Sequence, residues 1–419
     1  MIITVKPSKI EGEILAPASK SYAQRALALS ALAQGVSRVR NIDSGGDVDA
    51  VLSLIADLGA TVTLEGRTAT VVGGDFTGKK EQLFIGESGL ATRLFTPIAS
   101  IFDSKTTITG EGSILKRPII TMQQPLTDLG VRFESNNGFL PLSVCGPIKG
   151  GEIEVDGSLS SQFISGLLIA LPLCEVDSVL NVKDLKSKPY IDMTLDTIKM
   201  AGVEIVNENY QKFRIKGGQK YQNFDYTVEG DWSGASCLLV AGATSGSITI
   251  KNLKNDSSQA DIAILEALRR AKADIEIGSD YVTVRKSDLV GFEFDATDCP
   301  DLFPALAALA ASCKGKSTIV GTKRLTHKES DRAKTIKELF AALSIEIDIS
   351  IEDKMVVTGG EIKGEVSVDS CNDHRIAMAA AVAALTSTSG SVEITHAEAV
   401  NKSYSKFWND LKSVTKNGE

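Results

Sequence analysis

Glu152-Ile153-Glu154-Val155-Asp156 alternates polar and apolar residues. That is the period of a strand with one face buried. From Ser160 the pattern changes to an apolar stretch reaching residue 170, which predicts a helix. A strand is expected near 178–181. A second helix is expected over 189–200, with Pro189 in its first turn, where a missing N–H costs nothing. Two alternating runs near 204–207 and 212–216 close the segment. The order reads β-α-β-α-β-β.

The same order recurs along the chain. Anchoring on the helix starts at residues 20, 88, 160, 231, 301 and 373 gives spacings of 68, 72, 71, 70 and 72. A period of 20–50 residues would mark a solenoid; a period near 70 marks a larger α/β unit, present six times. Second helices are expected at 47–58, 117–129, 260–271, 331–343 and 403–411. The sixth unit has no room for its closing strands, while strand-like runs at 2–5 and 12–15 precede the first helix. The economical arrangement lets the N-terminus complete unit six. Residues 18–228 then form one domain, and residues 1–17 plus 229–419 form the other.

Composition narrows the class. The chain has 419 residues, 43% apolar and 23% charged, with a net charge of −8. At about 150 residues per domain this alone indicates two to three domains. The longest near-apolar runs are about ten residues, short of the roughly 18 a membrane helix needs. Met1 to Lys6 alternates like a strand and shows no signal-peptide pattern. The acidic balance argues against nucleic acid or an anionic membrane as partner. Six scattered cysteines form no C-x-x-C and read as core residues in a reducing cytoplasm. Three histidines, none spaced with a cysteine, argue against a metal site.

The chemistry sits at the helix starts. An N-cap wants Ser, Thr, Asp or Asn, and most of these starts supply one. Capping does not call for Lys20, Arg25, Arg93, Gln162 or the His374-Arg375 pair. A cation in a first turn opposes the helix dipole by about 0.3–1 kcal/mol. Its recurrence in phase with the repeat makes sense if an anion occupies the helix end beside it. Arg117, Lys328, Arg332 and Lys402 lie in polar turns. Their convergence would give an acidic protein a positive cleft.

The chain resembles the 5-enolpyruvylshikimate-3-phosphate synthase (3-phosphoshikimate 1-carboxyvinyltransferase) family. The matching stretches are Pro17-Ala18-Ser19-Lys20-Ser21 with Arg25, Gly157 to Phe163, Ser187-Lys188-Pro189-Tyr190, Lys328-Glu329-Ser330-Asp331-Arg332, and Asn372-Asp373-His374-Arg375. They occur in family order over nearly the whole length. The resemblance implies two similar α/β domains, each of three β-α-β-α-β-β repeats in an inside-out barrel, with the active site in the interdomain cleft. It implies transfer of the enolpyruvyl group of phosphoenolpyruvate to the 5-hydroxyl of shikimate 3-phosphate through a tetrahedral intermediate. That reaction belongs to the shikimate pathway of aromatic amino-acid and chorismate biosynthesis. A cytoplasmic monomer that closes around its substrates is expected, with no metal or organic cofactor.

By motif, Lys20, Ser21, Arg25, Ser160, Ser161, Gln162, Ser187, Tyr190, Asp301, Arg324 and Lys328 resemble the shikimate 3-phosphate set. Lys20, Gly89, Arg93, Arg117, Gln162, Arg332, Arg375 and Lys402 resemble the phosphoenolpyruvate set. Arginine's planar fork suits carboxylate and phosphate oxygens. The substrate pair brings about −5 to −6 of charge, counting about −1.5 to −2 per phosphate. The eight cations Lys20, Arg25, Arg93, Arg117, Lys328, Arg332, Arg375 and Lys402 answer it, partly offset by Asp301 and Glu329. Proton transfer to the methylene carbon and from the hydroxyl calls for general acids and bases. Asp301, Glu329 and Lys20 are the candidates, Lys20 because neighbouring cations would lower its pKa. Asp301 also suits a plain helix cap.

One segment departs from the family. Glu87-Ser88-Gly89-Leu90-Ala91-Thr92-Arg93 stands where Asn-Ala-Gly-Thr-Ala-x-Arg is usual. Glu87 and Leu90 alter contacts expected near phosphoenolpyruvate and leave the response to glyphosate open. Arg324 stands where some members have Asn. The sister enzymes acting on UDP-N-acetylglucosamine usually carry Lys-Asn where this chain has Lys20-Ser21.

Overall fold

The computed structural model describes residues 1–326 and 328–416. The chain forms two compact units, one of Lys20–Val228 and one of Met1–Ser19 with the chain from Glu229 onward. Ala18 and Ser19 thus belong with the second unit, where the Ser19 N–H donates to the Glu229 carbonyl.

Twelve α-helices occur among the described residues, two per repeat. In the unit Lys20–Val228 they are α1 (Lys20–Leu32), α2 (Gly46–Asp57), α3 (Gly89–Ala99), α4 (Gln123–Asp128), α5 (Gln162–Ala170) and α6 (Lys188–Met200). In the other unit they are α7 (Trp232–Ser245), α8 (Ile264–Arg270), α9 (Phe303–Ala311), α10 (Arg332–Ala342), α11 (His374–Ala384) and α12 (Phe407–Val414). The odd-numbered helices open each repeat. Every residue of α3, α7, α9 and α11 is buried. A helix apolar on all sides must be enclosed, and sequences such as Phe303-Pro304-Ala305-Leu306-Ala307-Ala308 leave no polar face for water. Within one unit α3 packs on α5 and α1; within the other α9 packs on α7 and α11. Gly166 permits the first of these contacts, since a Cβ there would lie 2.3 Å from the Arg93 carbonyl oxygen.

The sheets take the outer positions. In the third repeat Glu152–Asp156 runs parallel to Ser178–Lys183, with α5 as the crossover, and the strand pair Ile205–Glu208 and Lys212–Ile215 completes the sheet antiparallel. Ile153 and Val155 are buried while Glu152, Glu154 and Asp156 are exposed, as the alternation requires. The sheet that begins with Glu293–Asp295 has the same order.

The chain ends are shared out differently from the expectation. Ile2–Val5 pairs with Val392–Thr395 in the sixth sheet. Lys9–Leu15 instead runs parallel to Gly246–Lys251 and supplies the leading strand of the fourth repeat. Asp225–Thr227 plays the same part for the first repeat, parallel to Gly35–Arg40. The helix expected over 117–129 is another correction. Residues Gly112–Lys116 and Ile120–Met122 form 3-10 turns, and α4 starts only at Gln123. Pro118 explains the break: it drives Arg117 out of the helical region, to φ −93 and ψ 125. Short 3-10 turns likewise precede α8 and α9. Five cysteines are buried, but Cys371 is exposed.

Gly246 offers a test of the fourth sheet. A Cβ there would sit 1.9 Å from the Ile10 carbonyl oxygen, a backbone atom held by its own strand. Gly246→Ala is expected to lower unfolding free energy by about 1–3 kcal/mol, the usual cost of overpacking, measured by urea denaturation.

Candidate active site

In the unit Lys20–Val228, Lys20 is the first residue of α1, and its Nζ lies 2.8 Å from an Asp47 carboxylate oxygen at the start of α2. An acid is therefore one of its near neighbours. Ser21 follows, half-buried. Arg25 is fully buried. Its Nε donates to the Thr194 hydroxyl at 2.8 Å, Nη1 to the Ser21 carbonyl at 2.9 Å and Nη2 to the Tyr190 carbonyl at 3.2 Å. The guanidinium thus ties α1 to α6, and burial pulls its pKa down to about 10. Thr194 in turn donates to Ser165 of α5 at 2.8 Å. Ser187 precedes α6 in the left-handed region at φ 58 and is buried.

The start of α3 is built around missing atoms and capped backbone. The Ser88 hydroxyl accepts from the Ala91 N–H and donates to the Gln24 side-chain oxygen of α1 at 3.3 Å. Gly89 faces the Arg117 guanidinium so closely that a Cβ would lie 2.4 Å from Nη1. Arg93 donates to the Gly89 carbonyl and to the Pro118 carbonyl, each at 3.1 Å. Gly89, Arg93 and Arg117 are therefore one cluster. At α5 the Ser160 hydroxyl accepts from the Gln162 N–H, and Ser161 is buried. The Gln162 side-chain oxygen is shielded from solvent and has no hydrogen-bond partner among the described residues. A buried acceptor left so is an invitation to a donor.

The other unit centres on Arg332, at the first position of α10 and wholly inaccessible. Its Nε lies 3.0 Å from Asp373, Nη1 2.7 Å from Asp301 and Nη2 2.5 Å from Glu329. Asp373 also accepts from Ser330 at 3.1 Å and caps α11 through the Arg375 N–H at 3.0 Å. Asp301 does not cap α9. It lies in the 3-10 turn Pro300–Leu302, and its carboxylate meets Lys328 at 3.4 Å and Arg375 at 3.3 Å besides Arg332. Burial would raise its pKa, but Arg375, Lys328 and Arg332 outweigh burial and hold it well below the usual carboxylate range. Lys328 is pushed down to about 8, first by burial, against the pull of Asp301 and with Arg332 and Arg324 adding to the depression. Lys328 is thus a lysine set among cations. Arg324 donates to the Thr297 carbonyl at 2.8 Å, and Lys402 to the Asn372 carbonyl at 2.8 Å.

Behind Arg375 lies a group the sequence reading missed. Asp261 is buried and accepts from the Ser233 hydroxyl of α7. Burial, then repulsion from Asp301, raise its pKa to about 7 against the attraction of Arg375. Asp47, Asp261 and Asp373 together change the expected charge balance. The cations of the sequence count are met by more carboxylates than Asp301 and Glu329. A carboxylate beside a buried cation offsets its lost hydration, and Lys20, Arg332 and Arg375 each have one. The signal for Asp373 was visible in Asn372-Asp373-His374-Arg375; its second duty, pairing Arg332, was not.

The family model for EPSP synthase (3-phosphoshikimate 1-carboxyvinyltransferase) matches residues 4–411. Proteins named 3-phosphoshikimate 1-carboxyvinyltransferase from Clostridium novyi and Clostridium beijerinckii are 38% and 37% identical, each over 98% of this chain and 97% of theirs. An EPSP synthase structure from Acinetobacter baumannii superposes with a TM-score of 0.83 at 24% identity, covering 99% of this chain and 98% of that one. The enolpyruvyl transferase NikO from Streptomyces tendae superposes at 0.82 with 16% identity, over 99% and 98% of the two chains. At those identities the structures speak for the fold alone.

Two substitutions test the cluster energetics. Asp373→Ala removes a buried partner of Arg332 and the α11 cap, and should cost about 3–5 kcal/mol in denaturant unfolding. Asp261→Asn should instead stabilise at pH 8. The folded-state pKa is raised from 3.8 to about 7, so the wild-type group favours folding only when protonated. The advantage of the variant should shrink as pH falls from 7 toward 4, measured by thermal unfolding across that range.

Proposed function

The chain belongs to the EPSP synthase (3-phosphoshikimate 1-carboxyvinyltransferase) family, and from that premise we propose that the residues described above bind and convert its two substrates. The enzyme moves the enolpyruvyl group of phosphoenolpyruvate to the 5-hydroxyl of shikimate 3-phosphate and releases phosphate. Lys20, Ser21, Arg25, Ser160, Ser161, Gln162, Ser187, Tyr190, Asp301, Arg324 and Lys328 hold shikimate 3-phosphate. Lys20, Gly89, Arg93, Arg117, Gln162, Arg332, Arg375 and Lys402 hold phosphoenolpyruvate. Hydroxyls and amides suit the polyhydroxylated ring; arginine forks suit the carboxylate and phosphate.

The observation that carries this reading is the Asp301 carboxylate, met by Arg332 at 2.7 Å, Arg375 at 3.3 Å and Lys328 at 3.4 Å. It is held ionised and so acts as an acceptor. The 5-hydroxyl oxygen bonds to C2 of phosphoenolpyruvate and gives up its proton; the methylene carbon gains one. The tetrahedral adduct then returns a proton from that carbon as the C–O bond to phosphate breaks. Asp301 receives the hydroxyl hydrogen, and Glu329 and Lys20 serve the methylene carbon. Anionic substrates neutralise the cations around Asp301. The force that keeps its pKa low is then relieved, so its basicity rises once the substrates are bound.

No helix among the described residues is long and apolar enough to cross a membrane. A monomer in the cytoplasm is the setting that fits best, in keeping with six unbridged cysteines.

Phosphate release from phosphoenolpyruvate, with shikimate 3-phosphate or UDP-N-acetylglucosamine as acceptor, tests the reaction. Release is expected only with the first, and none with either would overturn the reading. Asp301→Asn and Glu329→Gln should each lose most turnover, roughly the 10²–10⁴-fold of a general acid–base group, while calorimetry still detects both substrates. The pH profile is a separate check. Lys328 is charged below about 8 and loses its proton above it. Thus kcat/KM for shikimate 3-phosphate should fall as pH rises through 8, and Lys328→Arg should abolish that inflection.

A further inference from the structure

We propose that Glu87 is a positioning residue that sets Arg117 and thereby the affinity for phosphoenolpyruvate, an inference that rests on the function assigned above. Glu87 is the carboxylate that stands where an amide is usual. A negative side chain close to residues that bind an anion would weaken binding if it faced the anion. The structure gives it a further task. One carboxylate oxygen accepts the Ser113 N–H at 2.9 Å. Gly112, at φ +61, lies against that carboxylate, and a Cβ there would come within 2.3 Å of its carbon.

Residues 85–89 and 109–113 are also joined through backbone. The Ile85 N–H donates to the Thr109 carbonyl at 2.9 Å, and the Glu111 N–H to the Gly86 carbonyl at 3.0 Å. Ser113 is the second residue of the 3-10 turn Gly112–Lys116, whose N-cap residue Glu111 makes no side-chain cap. Glu87 therefore caps this turn from a distant point in the chain. The bond is charge-assisted, and a carboxylate at the start of a helical turn is placed favourably for the peptide dipoles.

The turn ends directly before Arg117. The Arg117 N–H donates to Ile114 within the turn at 3.1 Å, and Pro118 holds Arg117 extended. The guanidinium then lies over Gly89. Both ends of the loop are thus seated on one short segment: Glu87 grips the start and Gly89 receives the arginine. A released turn would let the fork drift. Displacements of about 1 Å are enough to lose recognition of this kind. Because the Ser113 N–H that Glu87 accepts belongs to the loop that carries Arg117, the effect should fall on KM for phosphoenolpyruvate rather than on kcat.

The test compares Glu87→Ala, Glu87→Gln and Gly112→Ala with the wild type in the phosphate-release assay. Glu87→Ala should raise KM for phosphoenolpyruvate about tenfold, leaving kcat and KM for shikimate 3-phosphate within about twofold. Glu87→Gln keeps an oxygen for the Ser113 N–H and should recover most of the affinity. Gly112→Ala displaces the carboxylate without changing it and should resemble Glu87→Ala. Should Glu87→Ala fail to fold, the other two variants carry the comparison. An unchanged KM for phosphoenolpyruvate in Glu87→Ala or Gly112→Ala, an equal loss for both substrates, or no recovery in Glu87→Gln would overturn the inference. A wild type that releases no phosphate would instead overturn the functional reading on which it rests.

Discussion

The contact on which one half of the molecule depends is the pairing of Arg332 with three carboxylates. A guanidinium with no exposed surface has lost its hydration, and only closely placed acceptors make that tolerable. Asp373, Asp301 and Glu329 each take a different nitrogen. Asp373 also caps α11, Asp301 lies just before α9, and Arg332 opens α10. One cation therefore fixes the starts of three helices relative to one another. The same arrangement keeps Asp301 ionised beside Arg375 and Lys328. Structural pairing and the proposed site chemistry use the same atoms.

The unit Lys20–Val228 solves the corresponding problem differently. Arg25 is buried too, but it is held by a hydroxyl and two carbonyls rather than by acids. Neutral acceptors compensate a buried charge less well, which accounts for its lowered pKa. The raised pKa of Asp261 has the converse cause, a carboxylate buried close to another. Each unit places its odd-numbered helices inside and its sheets outside, so positive helix starts recur in phase with the repeat. Glycines at 89, 166 and 246 allow the approaches this requires, of guanidinium to helix, helix to helix and strand to strand.

How much was legible in the sequence follows the range of each interaction. The helices α1, α3, α5, α7, α9 and α11 announce themselves through local apolar runs and small or polar starts. The helix expected over 117–129 starts only at Gln123 because a single dipeptide, Arg117-Pro118, divides an otherwise helical pattern. Lys9–Leu15 reads as a strand locally, but its neighbour Gly246–Lys251 is more than two hundred residues away and leaves no local trace. Among the residues proposed for the site, Lys20, Asp301, Glu329 and Arg332 were named from the family resemblance. Asp261 lies in an unremarkable run, Gln259-Ala260-Asp261, and only packing against Ser233 and Arg375 gives it significance.

The sequence by itself determined the repeat, the alternation of strands and helices, and the set of charged residues held at helix starts. These follow from side-chain periodicity and backbone preference, which act over a few residues. Tertiary structure alone decided which charges meet: that Lys20 faces Asp47, that Arg332 is shared among three acids, that Lys328 sits among cations, and that Glu87 turns to the Ser113 N–H. Electrostatic strength depends on distance and burial, and neither is written in the order of residues.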